Sequence, residues 1–384
     1  MAGALVPGVR KIAVLRANAL GDFIMVLPAL DALRAAYPEA EIVLLGKEWH
    51  ADFLAGRPGP VDRVEVVPAD LTAPEGESES PALRRFLARL RAERFDLALQ
   101  LHGGGRHANP LVSALGARVT AGCRADDAPP LDRWIRYVYY QPEVFRFLEV
   151  VGLVGAQPVG VEPVLELTGR DVREVAELLG ALLDGRPLAA LHPGAGDPRR
   201  RWPAERFAEV GDALAEAGAA VVITGTPGEA ELVRQVAGEM RRPALDLAGR
   251  LSIGGLAALY ARCAVVVAND TGPLHVARAV GAATVGVYWC GNLINAGPMT
   301  RDRHRPQISW RIHCPVCGVN CTRDLYPARG GGAGCRHRES FVAEVPASEV
   351  VAAALELFGY RTERAQEQAG AGSLRPSRGV PSPG

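Results

Sequence analysis

The segment from Leu188 to Arg206 reads Leu-Ala-Ala-Leu-His-Pro-Gly-Ala-Gly-Asp-Pro-Arg-Arg-Arg-Trp-Pro-Ala-Glu-Arg. It predicts an apolar strand over Leu188 to Leu191, a loop of small residues, three arginines and the start of a helix. Strand, loop and helix in this order form the repeating unit of parallel α/β sheets. Glycines let an anion approach the loop backbone, and the neighbouring guanidinium groups favour a phosphate or diphosphate ligand.

The loop does not follow either common nucleotide-binding pattern. It lacks the Lys-Ser/Thr of a P-loop and the spacing of a Gly-x-Gly-x-x-Gly fingerprint. We therefore predict that Gly194, Arg200 and Arg201 contact phosphate groups in a site of another kind.

The same strand and helix unit recurs along the chain and predicts two Rossmann-like domains facing across a cleft. We place the first domain at residues 1–160, the second at 161–361 with a Cys-rich insertion at 313–337, and a disordered tail at 362–384. Strands are predicted at Lys11 to Leu15, Glu41 to Leu45, Val64 to Val67, Leu97 to Leu101, Val119 to Ala121, Leu188 to Leu191, Ala220 to Thr224, Ala244 to Leu247, Val265 to Ala268 and Thr284 to Tyr288.

Composition narrows the class of protein. With 384 residues, 48% of them hydrophobic, and a formal net charge of zero, the chain has no charge excess for binding nucleic acid. Arg16 interrupts the first apolar run, and no run reaches the roughly 18 residues of a membrane span, so we predict a cytoplasmic protein. Only Lys11 and Lys47 are lysines among 43 basic residues, so an arginine in a lysine's place fits the composition.

Asp22 is the candidate catalytic residue of the first half. It follows the first predicted strand, and open α/β sheets bind ligands at the carboxyl ends of their strands. It could be a general base or the N-cap of a helix predicted over Phe23 to Ala36. Both hold if one carboxylate oxygen caps the helix and the other faces the cleft.

A second loop of the first half, His102 to His107, contains three glycines and Arg106. Arg106 is a candidate ligand for an acidic acceptor. A plain flexible turn explains the loop equally well.

In the second half, Asp270, Thr271, Gly272 and His275 follow a predicted strand and open a helix. Backbone N–H groups at a helix N-terminus attract phosphate, and Asp270 could accept hydrogen bonds from sugar hydroxyls. Glu229 follows another strand, where an acid commonly binds ribose hydroxyls. Helix capping and the helix dipole explain the same acids without a ligand.

Several of these motifs together resemble those of heptosyltransferases, which transfer heptose from ADP-heptose to lipopolysaccharide core. The resemblance extends over roughly Lys11 to Phe358. The motifs, in the family's order, are Ala19-Leu20-Gly21-Asp22, His192-Pro193-Gly194, Arg201-Trp202-Pro203, Gly225-x-x-x-Glu229, Asp246-Leu247-Ala248-Gly249 and Asp270-Thr271-Gly272-x-x-His275.

The resemblance implies a GT-B fold, with the nucleotide sugar held mainly by the second domain and a glycan or lipid-linked acceptor mainly by the first. It implies that Asp22 is the general base, Asp270 the sugar ligand and Glu229 the ribose ligand. Thr271 and Gly272 are then the diphosphate ligands. A lipid-linked acceptor would bring the protein to the inner face of the cell membrane as a peripheral contact.

The chain departs from the family pattern at two places. Arg200 stands where the family usually has a lysine, which keeps the charge but changes the hydrogen-bonding geometry. After the strand ending at Tyr288, Trp289 to Asn295 replace a Gly-Pro-Thr-like sugar-binding turn. The identity of the sugar is therefore open, with ADP-heptose as the default donor.

These residues predict an inverting glycosyltransferase. The base would deprotonate an acceptor hydroxyl that attacks the anomeric carbon while the diphosphate leaves from the opposite face. The sequence contains no Asp-x-Asp pair, so we expect catalysis without a divalent metal or other cofactor. The alternatives are a nucleotide-sugar epimerase and a non-catalytic sugar-nucleotide-binding protein.

A cluster of cysteines lies late in the chain, at Cys314, Cys317, Cys321 and Cys335, with His313 and His337 nearby. Four thiolates can bind a structural zinc ion. The irregular spacing leaves unligated or oxidised cysteines as the alternative, and an iron–sulfur cluster is a weaker one.

Overall fold

The computed structural model describes residues 3–68, 80–180, 185–324 and 337–373. In these residues two six-stranded sheets, each wholly parallel, are joined by a connection at residues 153–168. The predicted α/β class with two Rossmann-like sheets is confirmed.

The first sheet has the strand order β3-β2-β1-β4-β5-β6. Its strands are β1 (Lys11–Leu15), β2 (Glu41–Gly46), β3 (Arg63–Val66), β4 (Leu97–Gln100), β5 (Val119–Arg124) and β6 (Arg133–Arg136). The helices of this domain are α1 (Leu20–Ile24), α2 (Leu27–Ala36), α3 (Glu48–Leu54), α4 (Pro81–Ala92), α5 (Ala108–Ala114) and α6 (Glu143–Gly152).

The second sheet has the order β12-β11-β10-β7-β8-β9, which is the same topology as the first. Its strands are β7 (Leu188–His192), β8 (Ala220–Ile223), β9 (Leu245–Asp246), β10 (Cys263–Asn269), β11 (Thr284–Trp289) and β12 (His304–Ser309). The helices are α7 (Gly169–Leu179), α8 (Ala204–Glu216), α9 (Ala230–Glu239), α10 (Ile253–Arg262), α11 (Gly272–Ala279), α12 (Cys290–Ala296), α13 (Cys321–Asp324) and α14 (Ala347–Ser373). The strand order reverses between β1 and β4 and between β7 and β10, although all strands run parallel, and such sheets bind ligands at these points.

Three predictions about local structure are corrected. The single helix predicted over Phe23 to Ala36 is two helices, because Pro28 lies in the first turn of α2 and cannot donate the hydrogen bond that a continuous helix needs. Strands β6 and β12 were not predicted, since arginines and Pro306 mask their apolar pattern. Residues 362–373, predicted to be disordered, continue α14 in a segment rich in Ala, Glu and Gln, whereas 374–384 lie outside the described residues.

The two domains share one apolar core on the sheet faces that turn toward each other. Ile12 and Leu30 of the first domain belong to the same buried cluster as Ala190 and Val266 of the second. Since burial of apolar area is the main stabilising contribution, this shared cluster fixes how the two sheets face each other.

A buried ion pair adds to the contact between the domains. Arg57 Nη1 lies 2.9 Å from Asp171 Oδ2, and both side chains are buried. Removing one partner of such a pair leaves an unpaired charge in the interior, so both residues fix the interface.

Candidate active site

The domains approach each other at two glycines, Gly21 of α1 and Gly272 of α11. A Cβ atom on Gly21 would lie 2.7 Å from His275 Cδ2, and one on Gly272 would lie 3.0 Å from Leu20 Cβ. Only glycine, which has no Cβ atom, allows this approach. The contact brings the segment of Asp22 against the loop that begins at Asp270, so candidate residues predicted from separate halves lie at one place.

Asp22 is not the N-cap of its helix, because α1 begins at Leu20 and Ala19 occupies the N-cap position. The backbone N–H of Ala19 donates to Asp22 Oδ2 at 3.3 Å. The other oxygen, Oδ1, lies 3.5 Å from Arg16 Nη2, and the side chain is 37% exposed. One oxygen therefore supports the helix start, and the carboxylate still reaches solvent.

Arg16 positions the Asp22 segment through hydrogen bonds to its backbone. Its Nε and Nη2 donate to the Asp22 carbonyl at 3.0 and 2.8 Å, and its Nη1 donates to the Leu101 carbonyl at 2.7 Å. The guanidinium lies 4.5 Å from the centre of the Phe147 ring and is buried. Sequence reasoning treated Arg16 only as a break in an apolar run. A charged side chain at the end of a buried strand nevertheless indicates that buried hydrogen-bond acceptors lie nearby.

Asp270 is a buried carboxylate between the imidazole of His275 and the guanidinium of Arg200. Its Oδ1 lies 3.4 Å from His275 Nε2, and its Oδ2 lies 3.6 Å from Arg200 Nη1. Burial favours the protonated form, but the hydrogen bond and charge of His275 and the charge of Arg200 outweigh it, so the pKa of Asp270 is lowered. A hydrogen bond from Asn292 acts in the same direction. The carboxylate is therefore held ionised.

Asn292 belongs to the segment Trp289 to Asn295 that departs from the family pattern. In the structure this segment contains α12, which begins at Cys290 directly after β11. Its first turn places the Asn292 amide beside Asp270. The departure thus changes the side chains around the buried carboxylate.

The three consecutive arginines point to different partners. Arg199 pairs with Asp197, with Nη2 and Oδ2 2.6 Å apart, and lies over the Phe341 ring. Arg201 donates from Nε to the Ala195 carbonyl at 2.9 Å. Only Arg200 among the three has an ion pair with Asp270 in the structure as described.

Asn269 connects the loop after β7 with the loop after β10. Its Oδ1 accepts from the backbone N–H of Trp202 at 3.0 Å, and its Nδ2 donates to the Pro193 carbonyl at 2.8 Å. Trp202 is buried and donates from Nε1 to the Val345 carbonyl at 3.0 Å. Sequence reasoning assigned no role to either side chain, although an Asn at the end of an apolar strand signals a polar group that needs buried partners.

Glu229 and Gly194 lie together. A Cβ atom on Gly194 would collide with the Glu229 carboxylate, so the glycine makes room for it. Glu229 Oε2 accepts from the backbone N–H and the hydroxyl of Thr226 at 2.8 and 2.9 Å. The predicted ribose ligand is thus held beside the predicted phosphate loop.

The helix α11 begins at Gly272 with Thr271 as its N-cap. The Thr271 side chain makes no capping hydrogen bond, and Pro273 has no N–H to satisfy. The positive end of the helix dipole therefore points toward the contact between the domains.

Arg106 lies in the loop after β4. Its Nη1 is 3.5 Å from Asp127 Oδ2, and about half of the side chain is exposed. The same loop contacts the Asp22 loop, because the backbone N–H of Ala17 donates to His102 Nδ1 at 3.2 Å.

The Cys-rich segment brings together a different set of residues from the one predicted. The metal-binding atoms of Cys314, Cys317 and His337 all lie within 4.8 Å of one another. Cys321 is outside this group and donates from Sγ to the Val319 carbonyl at 3.5 Å. Cys335 lies outside the described residues. Cysteine spacing alone could not show that a histidine folds back onto the first two cysteines.

Among the described residues, no helix has the length and apolar character needed to cross a membrane.

The chain matches the family model of glycosyltransferase family 9 (heptosyltransferase) over residues 83–309. Lipopolysaccharide heptosyltransferase 2 of Escherichia coli K12 is 26% identical over 88% of this chain and 95% of that protein.

Solved structures agree with this match in fold. A glycosyltransferase family 9 protein from Veillonella parvula covers 91% of this chain and 97% of its own, with a TM-score of 0.71 and 23% identity. E. coli ADP-heptose lipopolysaccharide heptosyltransferase II covers 92% of this chain and 99% of its own, with a TM-score of 0.70 and 19% identity. The fold is therefore GT-B, and the family match covers more than half of the sequence. The chain belongs to glycosyltransferase family 9, the heptosyltransferase family.

Proposed function

We propose that this protein is an inverting glycosyltransferase that moves a sugar, heptose by default, from a nucleotide-diphosphate donor to a glycan or glycolipid acceptor. The observation that carries the proposal is the approach of α1 and α11 at Gly21 and Gly272. It puts a half-exposed carboxylate, Asp22, next to a buried carboxylate with a cationic partner, Asp270 with Arg200. A base on one side and cations on the other are what displacement at an anomeric carbon requires.

The donor lies against the second domain in this proposal. Arg200, Arg201 and the α11 N-terminus at Thr271 and Gly272 bind the diphosphate, because guanidinium groups and helix N-termini favour phosphate oxygens. Glu229, beside Gly194, accepts hydrogen bonds from ribose hydroxyls, which are donors that suit a carboxylate. Asp270 and His275 contact the sugar.

The first domain supplies the base in this mechanism. Asp22 takes the proton of the acceptor hydroxyl, and the hydroxyl oxygen attacks the anomeric carbon as the diphosphate leaves from the opposite face. Arg200 and the helix dipole of α11 stabilise the negative charge that develops on the leaving group. With these cations in place we propose that the transfer needs no divalent metal.

The acceptor is the least constrained partner. Arg106 is half-exposed in a loop that contacts the Asp22 loop, so an acidic group on the acceptor would find a cation there. The E. coli relative is named a lipopolysaccharide heptosyltransferase. A lipid-linked core acceptor at the inner face of the cell membrane follows as part of the proposal.

Asp22→Asn tests the proposal. The variant keeps an oxygen that can accept from the Ala19 N–H but cannot take a proton, so kcat should fall about 10²- to 10⁴-fold with little change in donor affinity. Glu48→Gln is the matched control, because Glu48 is also an acid in the first turn of a helix of this domain. Turnover is measured with ADP-heptose and a lipopolysaccharide core that lacks the heptose.

The outcomes separate the alternatives. An epimerase would convert the donor without any acceptor, and a pure binding protein would bind ADP-heptose without turnover. Full activity of Asp22→Asn would show that the carboxylate only supports the helix start.

A further inference from the structure

The turn that carries Cys314 and Cys317 has the backbone geometry of a metal-binding loop. The N–H of Val316 donates to Cys314 Sγ at 3.4 Å, and the N–H of Gly318 donates to the Cys314 carbonyl at 3.0 Å. Gly318 has φ of +72°, a left-handed conformation that glycine adopts without strain. A backbone N–H aimed at sulfur stabilises the thiolate, which is the form that binds a metal.

His337 completes the group from a distant part of the sequence. Its Nδ1 lies 3.7 Å from Cys314 Sγ. Two donors bound to zinc at about 2.3 Å (sulfur) and 2.0 Å (nitrogen) with a tetrahedral angle lie about 3.5 Å apart. The observed separation therefore suits a common metal ion. Two thiolates and an imidazole are a donor set that favours zinc.

The segment after His337 supports the loop of three arginines. Ser340 Oγ donates to the Arg201 carbonyl at 2.6 Å, and the Phe341 N–H donates to the Arg199 carbonyl at 2.7 Å. Ser340 is only three residues from His337 along the chain. A ligand that holds His337 in place would therefore also hold Ser340 and Phe341 against the carbonyls of Arg201 and Arg199, the two neighbours of Arg200.

The segment after Cys317 contacts the other domain. Tyr140, which lies between β6 and α6 of the first domain, donates from Oη to the Thr322 carbonyl at 2.7 Å. Thr322 is the second residue of α13, five positions after Cys317. A metal bound at Cys314, Cys317 and His337 would thus link two sets of hydrogen bonds. One is the bond between Tyr140 of the first domain and Thr322, and the other is the pair of bonds that support the backbone of the three arginines.

We propose that Cys314, Cys317 and His337 bind one zinc ion, and that this ion holds the backbone of Arg199 to Arg201 in position for a nucleoside diphosphate. The zinc is structural and acts on the donor site only through Ser340 and Phe341. The first part of the proposal is independent of the proposed function, whereas the effect on the diphosphate rests on it.

The metal is tested by elemental analysis of the whole protein purified from zinc-supplemented cells under reducing conditions. We expect about one zinc per chain in the unchanged protein. Cys317→Ser and His337→Gln should each lower the zinc content at least tenfold. Cys317 is exposed, so its serine variant should fold normally. Cys321→Ala is the matched control and should retain the zinc, because Cys321 lies outside the group.

Three results would overturn the zinc site: a folded protein without metal, zinc retained in the Cys317→Ser/His337→Gln double variant, or iron in place of zinc. Equal loss of zinc in Cys321→Ala would overturn the ligand set.

The effect on the donor site is tested by calorimetric titration with ADP and with adenosine. Cys317→Ser should weaken ADP about fivefold or more, in the usual range of coupling between two sites, and leave adenosine unchanged. Ser340→Ala should weaken ADP binding as well but keep its zinc, because it removes the hydrogen bonds of the Ser340 hydroxyl with the Arg201 carbonyl and the Val342 N–H and none of the proposed ligands. Unchanged ADP affinity in both variants would overturn the support role. Failure of the unchanged, zinc-loaded protein to bind ADP would instead overturn the proposed donor and leave the zinc site standing.

Discussion

The two domains have the same strand order but use the ends of their strands differently. In the first domain, the charged group nearest the end of β1 is Arg16, which is buried and turned inward to hold the Asp22 segment. In the second, Asp270 after β10 is the buried group, and Arg200 reaches it from the loop after β7. In the first domain the carboxylate of Asp22 is partly exposed and its partner Arg16 is buried. In the second domain the guanidinium of Arg200 is partly exposed and its partner Asp270 is buried.

Topology sets where a site forms in each domain, and side chains set its chemistry. Parallel sheets with this strand order have their ligand-binding crevice at the same strand ends in any protein, whatever ligand they bind. The roles of Arg and Asp are reversed between the domains, and this reversal is the basis on which we propose a base in the first domain and a diphosphate site in the second. Three experiments test how far the difference extends.

The largest expected effect is a different sensitivity of the two domains to acid. Burial lowers the pKa of His192 and of His304 to about 4 in the second domain, and the pKa of His50 to about 3 in the first. These imidazoles stay neutral in the fold but take a proton in the unfolded chain below about pH 6.5. Stability is therefore lost as the pH falls from about 6.5 toward those values, at roughly 1.4 kcal/mol per pH unit for each group.

With two such groups against one, the second domain should lose about twice as much stability as the first between pH 7 and pH 5. Hydrogen exchange at the two pH values, read separately for β4 and β10, measures this. His304→Gln should remove about half of the second domain's loss and make the losses of the two domains about equal. Equal losses in both domains would contradict the lowered pKa values.

The next largest effect is expected for Asn269→Ala, which breaks the connection between the end of β10 and the loop after β7 in the second domain. It leaves the Trp202 N–H and the Pro193 carbonyl without their buried partner, and each unsatisfied group costs about 1–3 kcal/mol. The free energy of unfolding by urea and the affinity for ADP should fall together. Asn109→Ala is the matched control in the first domain, because the buried Asn109 side chain also makes two hydrogen bonds to the backbone, donating from Nδ2 to the Cys123 and Pro129 carbonyls. It should lower stability and leave ADP affinity unchanged. Loss of ADP affinity in both variants would mean that the domains are not independent in donor binding.

The smallest effect is expected for Arg200→Ala compared with Arg199→Ala. Losing a charged hydrogen-bond donor costs about 1.5–3 kcal/mol, so ADP should bind about 10- to 150-fold more weakly to Arg200→Ala. Arg199 is paired with Asp197 and lies over Phe341, so its variant should change ADP affinity little. Adenosine affinity should be the same in both. An equal loss of ADP affinity in the two variants would show that the three arginines act through their summed charge and not through the placement of the Arg200 side chain beside Asp270.

Sequence reasoning reached the fold and many of the candidate residues, because both depend on local patterns. The apolar strands and the loops that follow them predicted two parallel sheets, and the rule that ligands bind at strand ends selected Asp22 and Asp270. Roles for these residues stay predictions until variants are measured.

What sequence reasoning missed depends on contacts between distant residues. Asn269 meets Trp202 across 67 positions, and His337 meets Cys314 across 23. No local pattern encodes such pairs. The edge strands β6 and β12 were missed for a related reason, since an edge strand keeps polar side chains and Pro306 that a central strand would exclude.

The C-terminal helix α14 has a consequence for how the protein folds during synthesis. All six strands of the first sheet come from residues 11–136, so that domain has its complete sheet long before the chain ends. The second sheet differs, because α14 packs on α8, β10 and β11 and buries Val350, Ala354 and Leu357 against them. Until this last helix leaves the ribosome, apolar strands remain uncovered on one face. The second domain should therefore be the part of the nascent chain that chaperones bind and that aggregates when synthesis is interrupted.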